Sequence, residues 1–275
     1  MLRVLHSTEI YTMIKKTKTQ YHPNFAFHDT DEVIGRSLDL YGEYSQLELD
    51  FLLGLLDQTK VVYDIGSNIG YHATAFASRV KKVYGFEPNP RNYSLLVKNT
   101  EIFSNIQLMN CAVGSKFGMI KCCDYDPGIP GNYGNMKVGV AEATITVPVM
   151  SIDDLGLEKP DLIKIDVEGS EYEVFKGCMN TIETHKPLLY YEAHETLNFK
   201  EIYEMLEPHG YIFYWAQVNN YNPNNFAKNN LNVFSNTALF SVFAVPSTFQ
   251  ALSLSKVLDS NDNFEKLISR SWNKI

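Results

Sequence analysis

A glycine-containing turn follows the apolar segment at residues 61–63. Asp64 ends this segment, and Gly66, Asn68 and Gly70 follow it. Glycine adopts backbone conformations that other residues resist, and it lets a ligand approach the main chain. A helix predicted to begin near Gly70 would direct its unpaired N–H groups at the turn. The pattern therefore predicts a nucleotide-like ligand beyond the end of a strand.

The details of this turn indicate which ligand fits it. The spacing Gly-x-Asn-x-Gly lacks the G-x-G-x-x-G fingerprint of pyrophosphate binding. The carboxylate of Asp64 would also repel a diphosphate, whereas it would attract a ligand with a cationic end. S-adenosylmethionine carries an amino group and a sulfonium. We therefore predict that Asp64, Gly66, Asn68 and Gly70 bind S-adenosylmethionine.

A second acid ends the next predicted strand. Glu87 follows the turn at roughly the 20-residue distance at which an acid binds the ribose hydroxyls of a nucleotide. Glu87 and the adjacent Pro88 are therefore assigned to the same cofactor site. Either Asp64 or Glu87 alone would be explained as a turn or helix-capping acid. The complete order of strand, acid, glycine turn, helix, strand and acid favours ligand binding.

Acidic residues and a histidine follow two later strands, and they suit proton transfer. Asp166 and Glu168 follow the segment 162–165, and His194 follows the segment 188–192. A hydroxyl group has a high pKa, so a general base near it assists the transfer of a group to its oxygen. We predict Asp166, Glu168 and His194 as catalytic residues. The alternative is structural: Asp166 caps a helix, Glu168 favours its dipole, and His194 is a hydrogen-bonded rim residue.

A divalent metal is a second use for the same groups. Asp166, Glu168, Glu192 and His194 offer oxygen and nitrogen ligands that would fit Mg²⁺ or Mn²⁺. Our assignment contains no metal. Lys164 lies inside the preceding strand, and we interpret it as paired to an acid rather than catalytic. His72 faces either the cofactor or the helix interior.

Short β-rich segments that alternate with helical ones position these residues. Several strands are apolar on both faces, which is typical of strands covered by helices on both sides. The alternation predicts a doubly wound α/β sheet. Strands are predicted over 60–65, 82–87, 106–111, 144–149, 162–166, 188–192, 211–215 and 239–245. Helices are predicted from residue 43 and over 70–79, 90–102, 171–182 and 199–206.

The remaining segments set the boundaries of three regions. We predict an N-terminal arm or cap over 1–42, a catalytic domain over 43–246 and a C-terminal helical tail over 247–275. Residues 124–135 are predicted to form a loop because they contain several Gly and Pro residues. Residues 217–236 contain nine Asn, which indicates either a surface loop or a hydrogen-bonding wall against a sugar.

Composition excludes several classes of protein. The net charge of −8 and the lack of a basic groove disfavour nucleic acid as a partner. No apolar run has the length and composition of a membrane span. Four cysteines occur without a CxxC or zinc-type spacing, which indicates reduced thiols in a cytoplasmic protein. The oligomeric state is not encoded in any pattern that we recognise.

The sequence resembles the FkbM family of S-adenosylmethionine-dependent methyltransferases over roughly residues 43–246. The resemblance is carried by VVYDIGSNIGYHA (61–73), VYGFEPNPRNYSLLVKN (83–99), VPVMSIDDL (147–155), PDLIKIDVEGSEYEVFKG (160–177), PLLYYEAHE (187–195) and LFSVFAVP (239–246). The block around Asp166 makes the resemblance specific, because the glycine turn alone is common to class I methyltransferases. Ser67 departs from the Ala that the family often has.

This resemblance implies a fold and a reaction. The implied fold is a Rossmann-like sheet of seven strands, mostly parallel, with an antiparallel edge hairpin and helices on both faces. The implied reaction is O-methylation, commonly of sugar hydroxyls on glycans, glycolipids or natural products. Residues 1–40, the Asn-rich segment and the tail lie outside the family pattern.

Two other functions compete with this one. An NAD-dependent oxidoreductase or epimerase would use a similar sheet, but Asn68 replaces its middle glycine. A non-catalytic cofactor-binding module is the other possibility, and the presence of Asp64, Glu87, Asp166 and His194 together disfavours it.

Overall fold

The computed structural model describes residues 14–193, 198–235, 237–249, 254–263 and 266 of the 275-residue chain. The strands are β1 (Ile14–Thr17), β2 (Phe25–His28), β3 (Val61–Ile65), β4 (Lys82–Phe86), β5 (Ile106–Met109), β6 (Ala112–Val113), β7 (Gly118–Cys122), β8 (Ile145–Met150), β9 (Leu162–Ile165), β10 (Leu188–Glu192), β11 (Tyr211–Asn219), β12 (Ala238–Pro246) and β13 (Ser255–Lys256). The helices are α1 (Ile34–Tyr41), α2 (Gln46–Leu53), α3 (Tyr71–Ala77), α4 (Pro90–Thr100), α5 (Glu171–Lys176), α6 (Met179–His185) and α7 (Phe199–Leu206), with 3₁₀ turns at Ile152–Asp154 and Glu207–His209.

The predicted doubly wound sheet is confirmed. Its strand order is β5-β4-β3-β9-β10-β12-β11-β13. Strands β5, β4, β3, β9 and β10 run parallel, and β12 is antiparallel to both β10 and β11. The edge hairpin of the expected fold is therefore β11–β12. The strand number differs from the expected seven because the two-residue β13 pairs with Tyr214 and Trp215 at the outer edge.

The central strands are buried on both faces because helices cover both sides of the sheet. All five residues of β3 are buried. Successive side chains of a strand point to opposite faces. Tyr63 and Ile65 accordingly join one hydrophobic core with Phe175 of α5, while Val62 joins a second core with Phe76 of α3. Two cores of this kind fix the sheet between its helical layers.

The N-terminal region packs against the glycine turn. The predicted irregular arm contains the antiparallel pair β1–β2 and the helix α1. Asn99 on α4 accepts a hydrogen bond from the Ala26 N–H at 2.7 Å. Its side-chain amide donates to the carbonyl oxygens of Ala26 and Ile69, both at 2.8 Å. One buried side chain thus ties β2 to the turn that follows β3.

An insertion between β5 and β9 forms a separate three-stranded sheet in the order β6-β8-β7. The predicted loop at 124–135 lies within this insertion and contains no helix or extended strand. Tyr125 and Tyr133 of the loop stack at a centroid distance of 3.9 Å. The rings of both contact His28 edge-on, which fastens the insertion to β2.

One predicted helix is divided into two. The apolar spacing over 171–182 predicts a single helix, whereas α5 ends before Gly177 and α6 begins after Cys178. A side chain at Gly177 would lie 2.0 Å from the Gly114 carbonyl oxygen, so the insertion presses on the chain at this point. The close approach of the segment at Gly114 explains the break in the helix at Gly177. The spacing of apolar residues along the helix does not reveal such a contact.

Only part of the C-terminal region is described. Residues 254–263 contain β13, and the Trp215 indole N–H donates to Asp262 across 3.3 Å. Most of the predicted helical tail, the residues 194–197 that include His194, and Asn236 lie outside the described residues. The four cysteines are free thiols. In the described part of the chain, every helix is too short or too polar to cross a bilayer.

The turn after β3 imposes a strict limit on residue size. Gly66 has φ +84°, a conformation that favours glycine. A Cβ atom there would lie 1.8 Å from the Asp166 carbonyl oxygen at the end of β9. Any other residue at position 66 would have to separate the two central strands.

Gly66→Ala is expected to lower the free energy of unfolding by at least about 3 kcal/mol, because backbone strain adds to a backbone clash. Urea denaturation followed by circular dichroism measures the change. Gly156→Ala is the matched control, since Gly156 has φ +59° and open space around it. That control should cost only about 1 kcal/mol. Equal losses in the two variants would contradict the role of the clash.

Candidate active site

A cavity opens at the carboxyl ends of the parallel strands. It contains about 1180 Å³ of empty space, its open mouth included. Residues from the ends of β3, β4, β9 and β10 line it, together with α2, α3 and the insertion. Ligands of open α/β sheets bind in this position. Because β4 and β10 lie on opposite sides of the β3–β9 pair, the cavity reaches across four strands.

The predicted glycine turn forms one part of the wall. The N–H groups of Gly66 and Ser67 both donate to the Phe86 carbonyl oxygen, at 3.0 and 2.9 Å. Asn68 has φ +50° and Gly70 has φ +94°. Gly66 and Asn68 line the cavity, and α3 begins directly after Gly70. The turn therefore borders the cavity, while the N–H groups of Gly66, Ser67 and Asn68 bond within the protein.

Glu87 lies beside the turn and is 5% exposed. Its Oε2 accepts the Asn68 N–H at 2.9 Å, and its Oε1 accepts the Asn89 N–H at 2.8 Å. Burial raises the pKa of Glu87 to about 7, although the two N–H donors oppose this shift. Each oxygen retains a second lone pair for a ligand hydroxyl. The carboxyl group, fixed in place and on the cavity wall with Pro88, fits the two hydroxyls of a ribose.

Asp64 occupies a different position from the one that its sequence context predicts. Its side chain is fully buried and is not part of the cavity wall. Asp64 pairs in register with Lys164 of the neighbouring strand, and Lys164 Nζ lies 3.4 Å from Asp64 Oδ1. The expected direct contact between Asp64 and a cationic ligand is thus replaced by an ion pair with a buried lysine.

Lys164 makes three polar contacts and is 2% exposed. Besides Asp64, its Nζ lies 3.2 Å from Asp166 Oδ2 and 3.4 Å from the Gly66 carbonyl oxygen. Burial alone would lower the pKa of Lys164, but Asp166 and Asp64 outweigh it and hold that pKa above its usual value. Lys164 is therefore a permanent cation, paired to acids as the sequence interpretation favours.

The acids after β9 and β10 converge. Asp166, Glu168 and Glu192 each offer a carboxylate oxygen, and these atoms lie within 4.8 Å of one another. Burial acts to raise the pKa of Asp166, but Lys164 and a hydrogen bond from Glu192 together hold it below its usual value. Glu168 has φ +56° and so lies in a strained backbone region. His194, the fourth predicted group, lies outside the described residues.

Two buried groups on the cavity wall complete the site, and sequence reasoning missed one of them. Burial raises the pKa of Glu48 to about 8 and, with help from Lys164, lowers the pKa of His72 to about 3. Their Oε1 and Nε2 atoms lie 3.9 Å apart. Both groups are therefore uncharged at neutral pH. Glu48 lies in the first turn of α2, and an acid within a largely apolar helical segment was the available signal.

The fold and the cavity define a class I methyltransferase. The strand order brings the ends of β3, β4, β9 and β10 to one cleft. This cleft is lined by the glycine turn after β3, the acid after β4 and the polar cluster after β9 and β10. The family model for the methyltransferase FkbM domain matches residues 64–213. The chain belongs to this family and is a methyltransferase of the S-adenosylmethionine-dependent class.

Relatives with known names support this assignment. The chain is similar to the hexuronic acid methyltransferase AglP of Haloferax volcanii, with 30% identity over 191 residues, 68% of this chain and 76% of that protein. It is also similar to the 2-O-methyltransferase NoeI of Sinorhizobium fredii, with 28% identity over 167 residues, 52% of this chain and 65% of that protein.

A solved structure shares the family name. The methyltransferase FkbM from Methylobacillus flagellatus superposes with a TM-score of 0.45 and 20% identity. The match covers 69% of this chain and 45% of that protein, so this chain spans less than half of its length.

The buried carboxyl of Glu48 gives the free protein a defined pH dependence. Its pKa rises from 4.5 to about 8 on folding, so the folded state holds a proton that the unfolded state has lost between those values. The stability that this group contributes is present below about pH 4.5 and is lost as the pH rises through 8. Glu48→Gln should reduce the fall in unfolding free energy between pH 5 and pH 8.5 by about 2–4 kcal/mol.

Urea denaturation at both pH values measures this difference. Glu158→Gln is the control, because Glu158 is exposed and a salt bridge lowers its pKa, which places its titration below the tested range. If Glu48→Gln and Glu158→Gln behaved alike, Glu48 would not be a buried neutral acid.

Proposed function

We propose that this chain transfers a methyl group from S-adenosylmethionine to a hydroxyl of a saccharide or glycoconjugate. One observation carries the proposal. A single cavity is lined by a fixed carboxyl group suited to a ribose, Glu87, and by a carboxylate held ionised beside a lysine, Asp166. The names of two relatives supply the substrate class, since one acts on a hexuronic acid and the other is a 2-O-methyltransferase.

The first part of the proposal concerns the cofactor. Glu87 would accept hydrogen bonds from the ribose hydroxyls, while Gly66, Asn68 and Pro88 would form the surrounding wall. When bound, the cofactor supplies an electrophilic methyl group on a sulfonium. Gly70 supports the turn and Asp64 acts indirectly, because it holds Lys164 rather than the ligand.

The second part concerns the acceptor. Asp166 lies at the end of β9, next to the turn that would hold the cofactor, and its hydrogen bond with Glu192 orients it. Its role would be to accept the proton of the acceptor hydroxyl as the new C–O bond forms. Glu168 and His194 would bind and orient the acceptor. Positioning of this kind accounts for a large part of the rate in bimolecular transfer.

A divalent cation is a competing role for the same cluster. Asp166, Glu168 and Glu192 are close enough to ligate one ion together. Lys164 already provides a positive charge 3.2 Å from Asp166, which disfavours a second cation beside that carboxylate. A chelator therefore distinguishes the two roles: it would lower the rate of methyl transfer if a metal were required and would leave the rate unchanged if Asp166 acted directly.

Glu87→Ala should weaken binding of S-adenosylmethionine and of its demethylated product by about 10–100-fold, because two hydrogen bonds to a carboxyl group are lost. Isothermal titration calorimetry measures both dissociation constants. Glu158→Ala, which removes an exposed acid far from the cavity wall, should leave them unchanged. Unchanged affinity in Glu87→Ala would contradict the cofactor assignment.

Asp166→Asn should lower kcat by at least about 100-fold, since the general base is lost. Cofactor affinity should stay within about threefold, because Asn has nearly the size of Asp and leaves the backbone beside Gly66 unchanged. Methyl transfer from labelled S-adenosylmethionine to a panel of methyl glycosides measures the rate. Retained turnover would remove Asp166 as the base and leave the cofactor assignment intact.

Wild-type protein assayed with and without EDTA is the control for this variant. Equal rates support direct proton transfer. A rate that falls with EDTA and returns with Mg²⁺ would assign the carboxylates to a metal instead.

A further inference from the structure

The part of the cavity wall near the ends of β9 and β10 is called the acceptor end here. Its residues are Tyr44, Glu48, His72, Asp166 and Glu192. The preceding proposal places the acceptor sugar at this end. The charges and hydrogen-bonding groups of this wall decide which sugars can enter it.

Basic side chains are scarce on this wall. Among the described residues that line the cavity, Lys164 and His72 are the only basic ones. Lys164 is an ammonium with three N–H donors, and Asp64, Asp166 and the Gly66 carbonyl oxygen lie within 3.4 Å of it. Two of its N–H groups donate to Asp166 and to the Gly66 carbonyl oxygen, and the ion pairs with Asp64 and Asp166 balance its charge within the protein.

His72 does not supply a cation either. Burial lowers its pKa to about 3, so the imidazole is neutral at physiological pH. Its Nε2 atom is buried and has no hydrogen-bond partner in the described structure, and the side chain is 9% exposed. An unpaired neutral nitrogen on the cavity wall suits a ligand hydroxyl, which can both donate and accept.

The remaining polar groups also favour hydroxyls. Glu48 is protonated at neutral pH and carries no charge. The carboxyl groups of Asp166, Glu168 and Glu192 are clustered within 4.8 Å, and Asp166, ionised beside Lys164, accepts hydrogen bonds but does not donate them. A sugar hydroxyl donates to such groups. A sugar carboxylate would face like charge and would find no cation to pair with.

We propose that the acceptor end takes an uncharged, hydroxyl-bearing sugar and rejects a sugar that carries a carboxylate there. This inference rests on the proposed function and narrows its substrate class. It separates this chain from its relative AglP, whose name specifies a hexuronic acid. The chemical reason is the engagement of Lys164 within the protein, which leaves the wall without a cation for a ligand.

The test compares two acceptors that differ only at C6, methyl α-D-glucopyranoside and methyl α-D-glucopyranosiduronate. Methyl transfer from labelled S-adenosylmethionine is measured at pH 7 with EDTA present. We expect kcat/KM for the neutral glycoside to exceed that for the uronate by at least about tenfold, as one close like charge requires. An equal or higher value for the uronate would overturn the inference while leaving saccharide methylation in place.

Two variants of Leu239 test whether the missing cation is the cause. Leu239 lines the cavity and lies two residues before Ser241, on the same face of β12, and Ser241 pairs in register with Glu192. Leu239→Arg should raise the ratio of uronate to glucoside kcat/KM by about tenfold. Leu239→Gln, which is polar but uncharged, should leave the ratio within about twofold of wild type. Equal ratios in the two variants would overturn the electrostatic explanation.

A third measurement separates this inference from the proposed function. Both glycosides are titrated into wild-type protein saturated with the demethylated cofactor. If the cofactor binds but neither glycoside binds or is methylated, the saccharide assignment fails and the inference fails with it. Circular dichroism and urea denaturation of both Leu239 variants must match wild type, so that a changed ratio reports on charge rather than unfolding.

Discussion

The buried ammonium of Lys164 is the interaction on which the site depends. It lies on β9 between Asp64 of β3 and Asp166 at the strand's own end, and it also contacts the carbonyl oxygen of Gly66. Removing either partner of a buried ion pair leaves an uncompensated charge, which typically costs about 3–5 kcal/mol. The same contact that joins the two central strands therefore fixes the glycine turn and keeps Asp166 ionised. The contacts of Lys164 therefore stabilise the fold and also keep the predicted catalytic residue Asp166 negatively charged.

Two buried acids on the cavity wall differ from Asp166 because their pKa values are raised. Glu48 and Glu87 lie on the cavity wall, and burial raises their pKa values to about 8 and about 7. Lys164 acts to lower both pKa values, but burial outweighs it. The free protein thus holds protons in its cleft that an exposed carboxyl group would have released. Glu48, whose pKa is about 8, can therefore donate a hydrogen bond at neutral pH, although a count of acidic residues would suggest only negative charge.

Much of this organisation follows from local sequence patterns. Alternating apolar segments predict the central strands, and β10 and α7 begin and end where the spacing predicts. The glycine turn and Glu87 are also predictable, because a turn and a strand end are local properties.

Contacts between segments that are distant in sequence explain where the structure differs from the sequence-based predictions. Asp64 is buried because its register partner is Lys164, and the break at Gly177 arises from pressure by Gly114. Neither partner is near in sequence. Glu48 was missed for the same reason, since α2 lies far from the strand ends that it helps to cover.

The cleft has one wall formed by the ends of the central strands and another formed by the insertion between β5 and β9. Gly134, Met136 and Val138 of this segment line the cavity, yet its strands pair only among themselves in a sheet of their own. Substitutions there can reshape one side of the cleft without altering the register of the central strands. Variation in this segment can therefore change the shape of the cleft while the strand ends that carry Gly66 and Glu87 keep their positions.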